Sequence, residues 1–173
     1  MRVRLPIVAI VLLAVGAVTR TMSVLDRLPE RMASHFGASG MPNAFMSREQ
    51  FFSFFAAIGG GTVLLFLLIP GLVRRVPPSM VNIPNRDYWL VPERLPAVHA
   101  KLRNWGEWFA AALTAFLVAV LELVLRANLD RQPLRNDLFV ALLGFFLAGQ
   151  ALSIVLLVLA FRVPSRARAS VQE

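Results

Sequence analysis

Four long apolar blocks, separated by short polar connections, constrain this fold more than any other feature of the sequence. A chain of 173 residues that is 57% hydrophobic and only 16% charged carries more apolar surface than one water-soluble core of this size can bury. About 20 consecutive apolar residues are enough for a helix to cross the hydrocarbon layer of a bilayer. The sequence therefore predicts an all-α integral membrane protein. Its single domain, residues 1–173, has transmembrane helices at about 5–25, 51–73, 105–125 and 138–161.

The first block allows two interpretations. Arg2 and Arg4 before the short apolar run 5–18 are also typical of a secretory signal peptide. Residues 17–21 offer no good small-x-small cleavage motif, however, and residues 21–25 extend the helix to spanning length. We favour a retained span, whereas cleavage would leave three spans.

Arginine supplies almost all of the formal net charge of +8, because Lys101 is the only lysine. The basic residues lie at the ends of the apolar blocks and not along one helix face, which indicates a lipid bilayer as the partner and no nucleic acid. Eleven fall on one predicted side, namely Arg2, Arg4, Arg74, Arg75, Arg86, Arg94, Lys101, Arg103, Arg162, Arg166 and Arg168. Seven fall on the other, namely Arg20, Arg27, Arg31, Arg48, Arg126, Arg131 and Arg135. The richer side is normally cytoplasmic. We therefore expect a multi-pass protein of the bacterial plasma (inner) membrane with both termini inside, an outer loop at 26–50 and a cytoplasmic loop at 74–104.

The predicted outer loop is the most patterned polar segment. Gly37 and Gly40 bracket a turn, and Ser47 with Gln50 forms a capping box that opens the second span. His35 and Asn43 are candidate ligand-binding residues, since a histidine on the outer face can bind a ligand or titrate near neutral pH. The alternative, which we favour for His35, is a histidine hydrogen-bonded to the backbone beside Gly37. His99 is predicted on the opposite side and the chain has no cysteine, so we expect neither a metal nor a cofactor.

Charged residues inside the spans are expensive in lipid and therefore informative. Arg20 and Glu122 are predicted at the same depth, close to the outer boundary, where they can pair. In a functional interpretation they line an outward-facing cavity for a polar or peptide ligand. In the structural interpretation, which we favour, they form an ion pair or extend separately to the interface. Glu107 with Asn104 has the spacing of a helix start, which makes Glu107 a partner of the helix dipole.

Small and polar residues predict the interior of the bundle. The triple glycine 59–61 in the second span allows either close packing of a neighbouring helix or local unwinding at a ligand site. Gly144, Gly149, Gln150 and Ser153 place a comparable stripe on the fourth span.

The predicted cytoplasmic loop ends in an amphipathic segment, 95–103, which we expect to lie at the lipid surface before the third span. Its other notable feature is a polar and aromatic motif formed by Asn82, Pro84, Asn85, Asp87, Tyr88 and Trp89. The aromatic pair suits the lipid interface. The whole motif equally suits a folded loop that docks a cytoplasmic partner or plugs the bundle.

Two stretches resemble a known group of proteins. The segment LPERMASHFGASGMPNAFMS resembles the short domain of unknown function at the N-terminus of the immunity (SdpI-like) family of the sporulation-delaying-toxin system. The segment NIPNRDYWLVPER resembles a loop of small four-span relatives of that group. The resemblance implies a multi-spanning bacterial membrane protein. In one branch of the group it implies immunity to a secreted peptide toxin and sequestration of a repressor at the membrane.

The sequence has no Ser-His-acid spacing, phosphate loop or metal-ligand cluster, so we expect no catalytic residues and no enzyme. The first hypothesis is a non-enzymatic protein of the immunity or sensor type, whose outer loop receives a ligand or peptide and whose cytoplasmic loop docks a partner. The alternatives are an accessory subunit of a larger membrane complex, bound to a membrane-protein partner or to a second copy, and a small oligomeric transporter.

Overall fold

A computed structural model describes residues 4–164 and confirms four helices that are long and apolar enough to cross a membrane. Arg2, Arg166 and Arg168 of the charge count lie outside the described residues. The helices in chain order are α1 (Leu5–Val24), α2 (Arg48–Phe55), α3 (Gly61–Val73), α4 (Arg86–Trp89), α5 (Leu95–Asp130) and α6 (Asn136–Ala160). A π-helical turn, Ala56–Gly60, joins α2 to α3 within the second span.

The predicted outer loop is in fact a β-hairpin, so the all-α prediction is wrong for this segment. Strand β1 (Arg31–Phe36) pairs antiparallel with strand β2 (Pro42–Ser47). The cross-strand pair of Met32 and Met46 packs toward the helices, with Met32 fully buried. Strand β1 is therefore half-buried, with Met32 and Ala33 inside and Arg31 and His35 exposed. We call the end of the bundle that carries this hairpin the hairpin end, and the opposite end, which carries residues 74–94, the loop end.

Helix α5 is the centre of the bundle. Helices α1, α3 and α6 each pack mainly on α5 and not on one another. Stacked rings join α5 to two of them, with ring centroids 4.1 Å apart for Phe66 and Phe109 and 4.7 Å apart for Phe116 and Phe146. Helix α6 has no buried residue at all. Its outer face is therefore left to lipid or to another chain.

The amphipathic segment and the third span form one uninterrupted helix, which corrects two predictions. Helix α5 has 36 residues and is about 54 Å long at 1.5 Å per residue, well beyond the hydrocarbon thickness of about 30 Å. Pro96 lies in its first turn, where proline is tolerated. Asn104 is consequently not an N-cap, and Glu107 lies more than three turns inside the helix, where it is buried against α1.

The two ends of the bundle have separate apolar cores. The core at the hairpin end joins α1, the hairpin, α2 and α5, and consists of Val24, Leu28, Met32, Phe51, Leu121, Val124 and Leu125. The core at the loop end consists of Trp89, Val98 and Phe161. The larger core therefore holds the hairpin against three helices.

The glycine stripes only partly mark the interior. A Cβ atom at Gly59 would contact Leu117 at 3.5 Å, so the π-helical turn does bring the second span close to α5. At Gly60, Gly61, Gly144 and Gly149 a Cβ atom would meet no other group of the described chain within 4 Å. The predicted interior position is thus wrong for the glycines of α6. Ser153 of the same helix does face α5, since the Trp105 indole donates a hydrogen bond to it at 3.4 Å.

Candidate ligand-binding site at the hairpin end

Asn128, near the end of α5, holds the hairpin through its side-chain amide. The amide nitrogen donates to the Ala33 carbonyl at 3.1 Å and to the Val124 carbonyl at 2.9 Å. The amide oxygen accepts from the Ala33 N–H at 2.7 Å. Asn128 is buried, so these bonds are shielded from water. The side chain therefore takes the place of a neighbouring strand beside β1.

The turn of the hairpin is held by the connection between α5 and α6. Gly40 has a φ of +80°, and its carbonyl accepts a hydrogen bond from the Leu134 N–H at 2.8 Å. A Cβ atom at Gly40 would collide with the Leu134 carbonyl oxygen. Asn136 donates from its side chain to the carbonyls of Gly37 and Ala38. Only glycine fits this approach between the two loops.

Two groups of hydrogen bonds hold the start of the second span in place. The predicted capping box is confirmed: the Gln50 N–H donates to Ser47 Oγ at 3.1 Å, and the Ser47 N–H donates to Gln50 Oε1 at 3.2 Å. Arg48 donates to the carbonyls of Leu25 at 2.7 Å and Leu28 at 3.4 Å, just after the end of α1. These bonds fix the hairpin between the first two spans.

The structure brings His35 and Asn43 together across the hairpin. His35 Nδ1 donates to the side-chain oxygen of Asn43 at 2.5 Å. Both residues are exposed. The expected backbone partner beside Gly37 is therefore replaced by a side chain on the opposite strand. The pair lies on the surface of the hairpin, where a ligand can reach it.

Arg20 and Glu122 form the ion pair that their equal depth predicts. Arg20 donates to the two carboxylate oxygens at 2.9 and 3.2 Å, and Arg126 of the same helix as Glu122 adds a third bond at 2.7 Å. No hydrogen bond or ion pair among the described residues joins this cluster to His35 or Asn43. A groove of about 850 Å³ does lie nearby between α1 and the second span, but other residues, mostly apolar, line it. The cluster thus connects α1 to α5.

A second groove, which the sequence analysis missed, runs between the hairpin and the end of α5. Its volume is about 370 Å³, and its apolar lining includes Phe36, Met41 and Phe45. Arg31 and Arg131 line it as well, and neither forms an ion pair with a carboxylate of residues 4–164. Apolar surface beside uncompensated guanidinium groups suits a ligand with apolar and acidic groups. We call this feature the hairpin groove.

Strand β2 also offers a free edge. In the part of the chain that the structure describes, β2 pairs with β1 alone. Asn43, Ala44 and Phe45 in its centre are exposed. A free strand edge presents unpaired backbone groups, which can bind an extended peptide as an added strand.

The motif at the loop end is used within the chain itself. Asn85 and Trp89 both donate hydrogen bonds to the Phe161 carbonyl, at 2.9 and 2.8 Å, where α6 ends. Trp89 is buried, so it packs in protein and does not anchor in lipid. The Arg94 guanidinium lies 3.8 Å from the centre of the Tyr88 ring. Asn82, Pro84, Asn85 and Asp87 remain exposed, and docking of a partner there stays a prediction.

Within residues 4–164 no group of three or more His, Asp or Glu side chains could hold a metal ion. His35 and His99 lie at opposite ends of the bundle, because one belongs to β1 and the other to the first turns of α5.

Residues 8–59 match a family model described as Domain of unknown function (DUF1648). The match covers most of α1, the hairpin, α2 and most of the π-helical turn. It confirms the resemblance that the patterned segment before the second span indicated. No curated protein and no solved structure matches the chain.

Proposed function

We propose that this multi-span membrane protein, whose residues 8–59 carry the domain of unknown function, is a non-enzymatic receptor of the immunity or sensor type. Its hairpin end receives a peptide ligand, and its loop end docks a partner. The observation that carries the proposal is the free edge of β2 beside the hairpin groove, on a hairpin that Asn128 and Gly40 hold firmly in place. The arginine distribution supports a bacterial plasma membrane location with both termini inside.

The chemistry of the hairpin end selects the ligand. A peptide in extended conformation adds a strand to β2 through backbone hydrogen bonds, which are independent of its sequence. Its alternate side chains then face the hairpin groove, where apolar groups contact Phe36 and Phe45. Carboxylates pair with Arg31 and Arg131. The preferred peptide therefore carries both apolar and acidic residues at every second position, on the one face that meets the groove.

Helix α5 supports coupling between the two ends. It contributes Asn128 to the hairpin contact and Val98 to the core that contains Trp89 and Phe161. Because the hairpin is fixed to α5 and the same helix contacts the loop end, a ligand that shifts the hairpin and α5 as one body also biases the loop end. The exposed residues Pro84 and Asp87 then form the surface offered to a partner.

Ligand binding is tested with a fluorescent decapeptide whose odd positions are alternately valine and glutamate and whose even positions are threonine, so that one face of the strand carries both apolar and acidic groups. Its binding to the full chain in lipid nanodiscs is followed by fluorescence anisotropy. We expect Arg131→Glu and Phe45→Ala each to weaken binding about tenfold or more. The matched control is Phe145→Ala, because Phe145 is an exposed aromatic residue on the distant helix α6. Absence of binding by the unmodified chain, or an equal loss in the control, contradicts the proposal.

A second candidate function, an accessory subunit of a larger complex, is favoured by α6. This helix buries no residue, and Gly144 and Gly149 leave open space where another helix can approach. Native mass spectrometry after purification in mild detergent tests it. A stoichiometric partner that is lost in Gly144→Leu supports the subunit role. A monomer without a partner excludes it, and also excludes an oligomeric transporter.

A further inference from the structure

A cavity at the loop end, between the start of α1 and α5, carries an inference independent of the peptide site. Its volume is about 520 Å³, and it is lined by Arg4, Leu5, Pro6, Arg103, Asn104, Glu107 and Trp108. We infer that this cavity binds the phosphate group of an anionic phospholipid. The evidence is the charge balance of the cavity, the direction in which its polarity changes and its position at the end of two membrane-spanning helices.

The charge balance is positive because one carboxylate faces two guanidinium groups. Arg4 donates from Nε to Glu107 Oε2 at 3.1 Å and also contacts Oε1 through Nη2. Arg103 Nε lies 3.7 Å from Oε1, and Arg103 makes no hydrogen bond to another described residue. The Glu107 side chain is only 7% exposed, whereas those of Arg4 and Arg103 are 55% and 48% exposed. One net positive charge therefore faces the cavity with donor groups to spare.

Glu107 positions these donors. The buried carboxylate binds Arg4 and attracts Arg103 from 3.7 Å, which keeps both guanidinium groups beside the cavity that they line. The first turn of α1 adds to the positive potential, since it contains no acidic residue to offset its backbone N–H groups. Guanidinium groups that are held in this way suit the geometry of phosphate oxygens.

The change in polarity along both helices distinguishes a lipid from a free anion. Arg4 precedes Leu5 at the start of α1, and Asn104 precedes Trp108 by about one turn of α5. Both helices run from the loop end into the membrane, so the polar groups lie outside and the apolar groups deeper. Leu5 and Trp108 are both exposed on the outside of the bundle, where lipid chains can contact them. A phospholipid has the same order, with phosphate outside and chains inside, and tryptophan is common at that boundary.

The inference is tested by native mass spectrometry of the full chain with equal amounts of phosphatidylglycerol and phosphatidylcholine. We expect the unmodified chain to retain phosphatidylglycerol preferentially, and Arg103→Gln to weaken its binding roughly tenfold. Arg75→Gln is the matched control, because Arg75 is an exposed arginine at the loop end outside the cavity. Equal retention of both lipids, or an equal loss in the control, overturns the inference. Displacement of the lipid by inorganic phosphate alone overturns the assignment to a lipid.

A second measurement does not depend on the folding of the arginine variant. Phosphatidylglycerol with brominated chains quenches the fluorescence of nearby tryptophan residues. We expect stronger quenching than with brominated phosphatidylcholine in the unmodified chain, and loss of most of that difference in Trp108→Phe. Identical quenching by the two lipids contradicts the inference.

Discussion

The hairpin end and the loop end of the bundle are held together in different ways. At the hairpin end, a core of seven buried apolar residues is combined with side-chain bonds from Asn128, Arg48 and Asn136 to several backbone groups. At the loop end, a core of three buried residues is combined with two hydrogen bonds that share one acceptor, the Phe161 carbonyl. A region with more buried contacts opens less often. The comparison indicates a rigid platform at the hairpin end and a more easily released contact at the loop end, which is what the proposed receptor function requires.

The largest loss of stability is expected for Gly40→Ala. The new methyl group collides with the Leu134 carbonyl, and the φ of +80° disfavours every residue with a side chain. We expect a loss of about 2 to 4 kcal/mol in the free energy of unfolding, measured by SDS titration in mixed micelles. Gly37→Ala is the control, since its methyl group would meet Asn43 and Met41 only at 3.8 Å. Equal stability of the two variants would show that the close contact between the hairpin turn and the connection at Leu134 does not stabilise the fold.

The second largest loss of stability is expected for Asn128→Leu. It keeps the size of the side chain but leaves the N–H and carbonyl of Ala33 without partners in a buried place. We expect a loss of about 2 to 3 kcal/mol in the free energy of unfolding, and faster amide hydrogen exchange in β1. The exposed Asn82→Leu serves as the control. Unchanged exchange at Ala33 would refute the role of Asn128 as a substitute strand.

Trp89→Phe is expected to have a smaller and more local effect. It keeps an aromatic ring in the core at the loop end but removes one donor to the Phe161 carbonyl. We expect a loss of about 1 kcal/mol. Hydrogen exchange should rise around residues 85–98 while β1 stays protected. An equal rise in hydrogen exchange at the hairpin end and the loop end would show that the two ends do not differ in rigidity.

The smallest effect is expected for Arg20→Gln. The Arg20 side chain is 39% exposed and that of Glu122 is 28% exposed, and the pair is predicted close to the outer boundary of the membrane, where interfacial water and headgroups weaken its attraction. Arg126 also remains to pair with Glu122. We expect a loss of about 1 kcal/mol or less, measured by the same titration. A loss larger than that of Asn128→Leu would show that the link between α1 and α5 dominates the stability of the hairpin end.

Several features of the candidate site were accessible to sequence reasoning because they depend on local or periodic patterns. The capping box needs only the spacing of Ser47 and Gln50. The ion pair of Arg20 and Glu122 follows from counting residues along two spans. The third span was predicted to end near Leu125, before Arg126, so Asn128 was not identified as part of the helix. The i, i+4 spacing of Leu125 and Leu129 was the sequence signal that could have revealed the further turn of α5, which carries Asn128.

The sequence by itself determined that the chain has four membrane-spanning helices, because lipid requires long apolar segments that satisfy their own backbone. Only the tertiary structure decided that the polar segment between the first two spans is a hairpin, since its register depends on Asn128 and Leu134, far away in the chain. The tertiary structure also decided which glycines face protein and which face outward. The sequence does not separate these positions, because the protein-facing and the lipid-facing sides of a spanning helix are both apolar. The grooves and cavities arise from these long-range contacts. For that reason Arg31 and Arg131 line one groove, and Arg4 and Arg103 line one cavity, only in the folded chain.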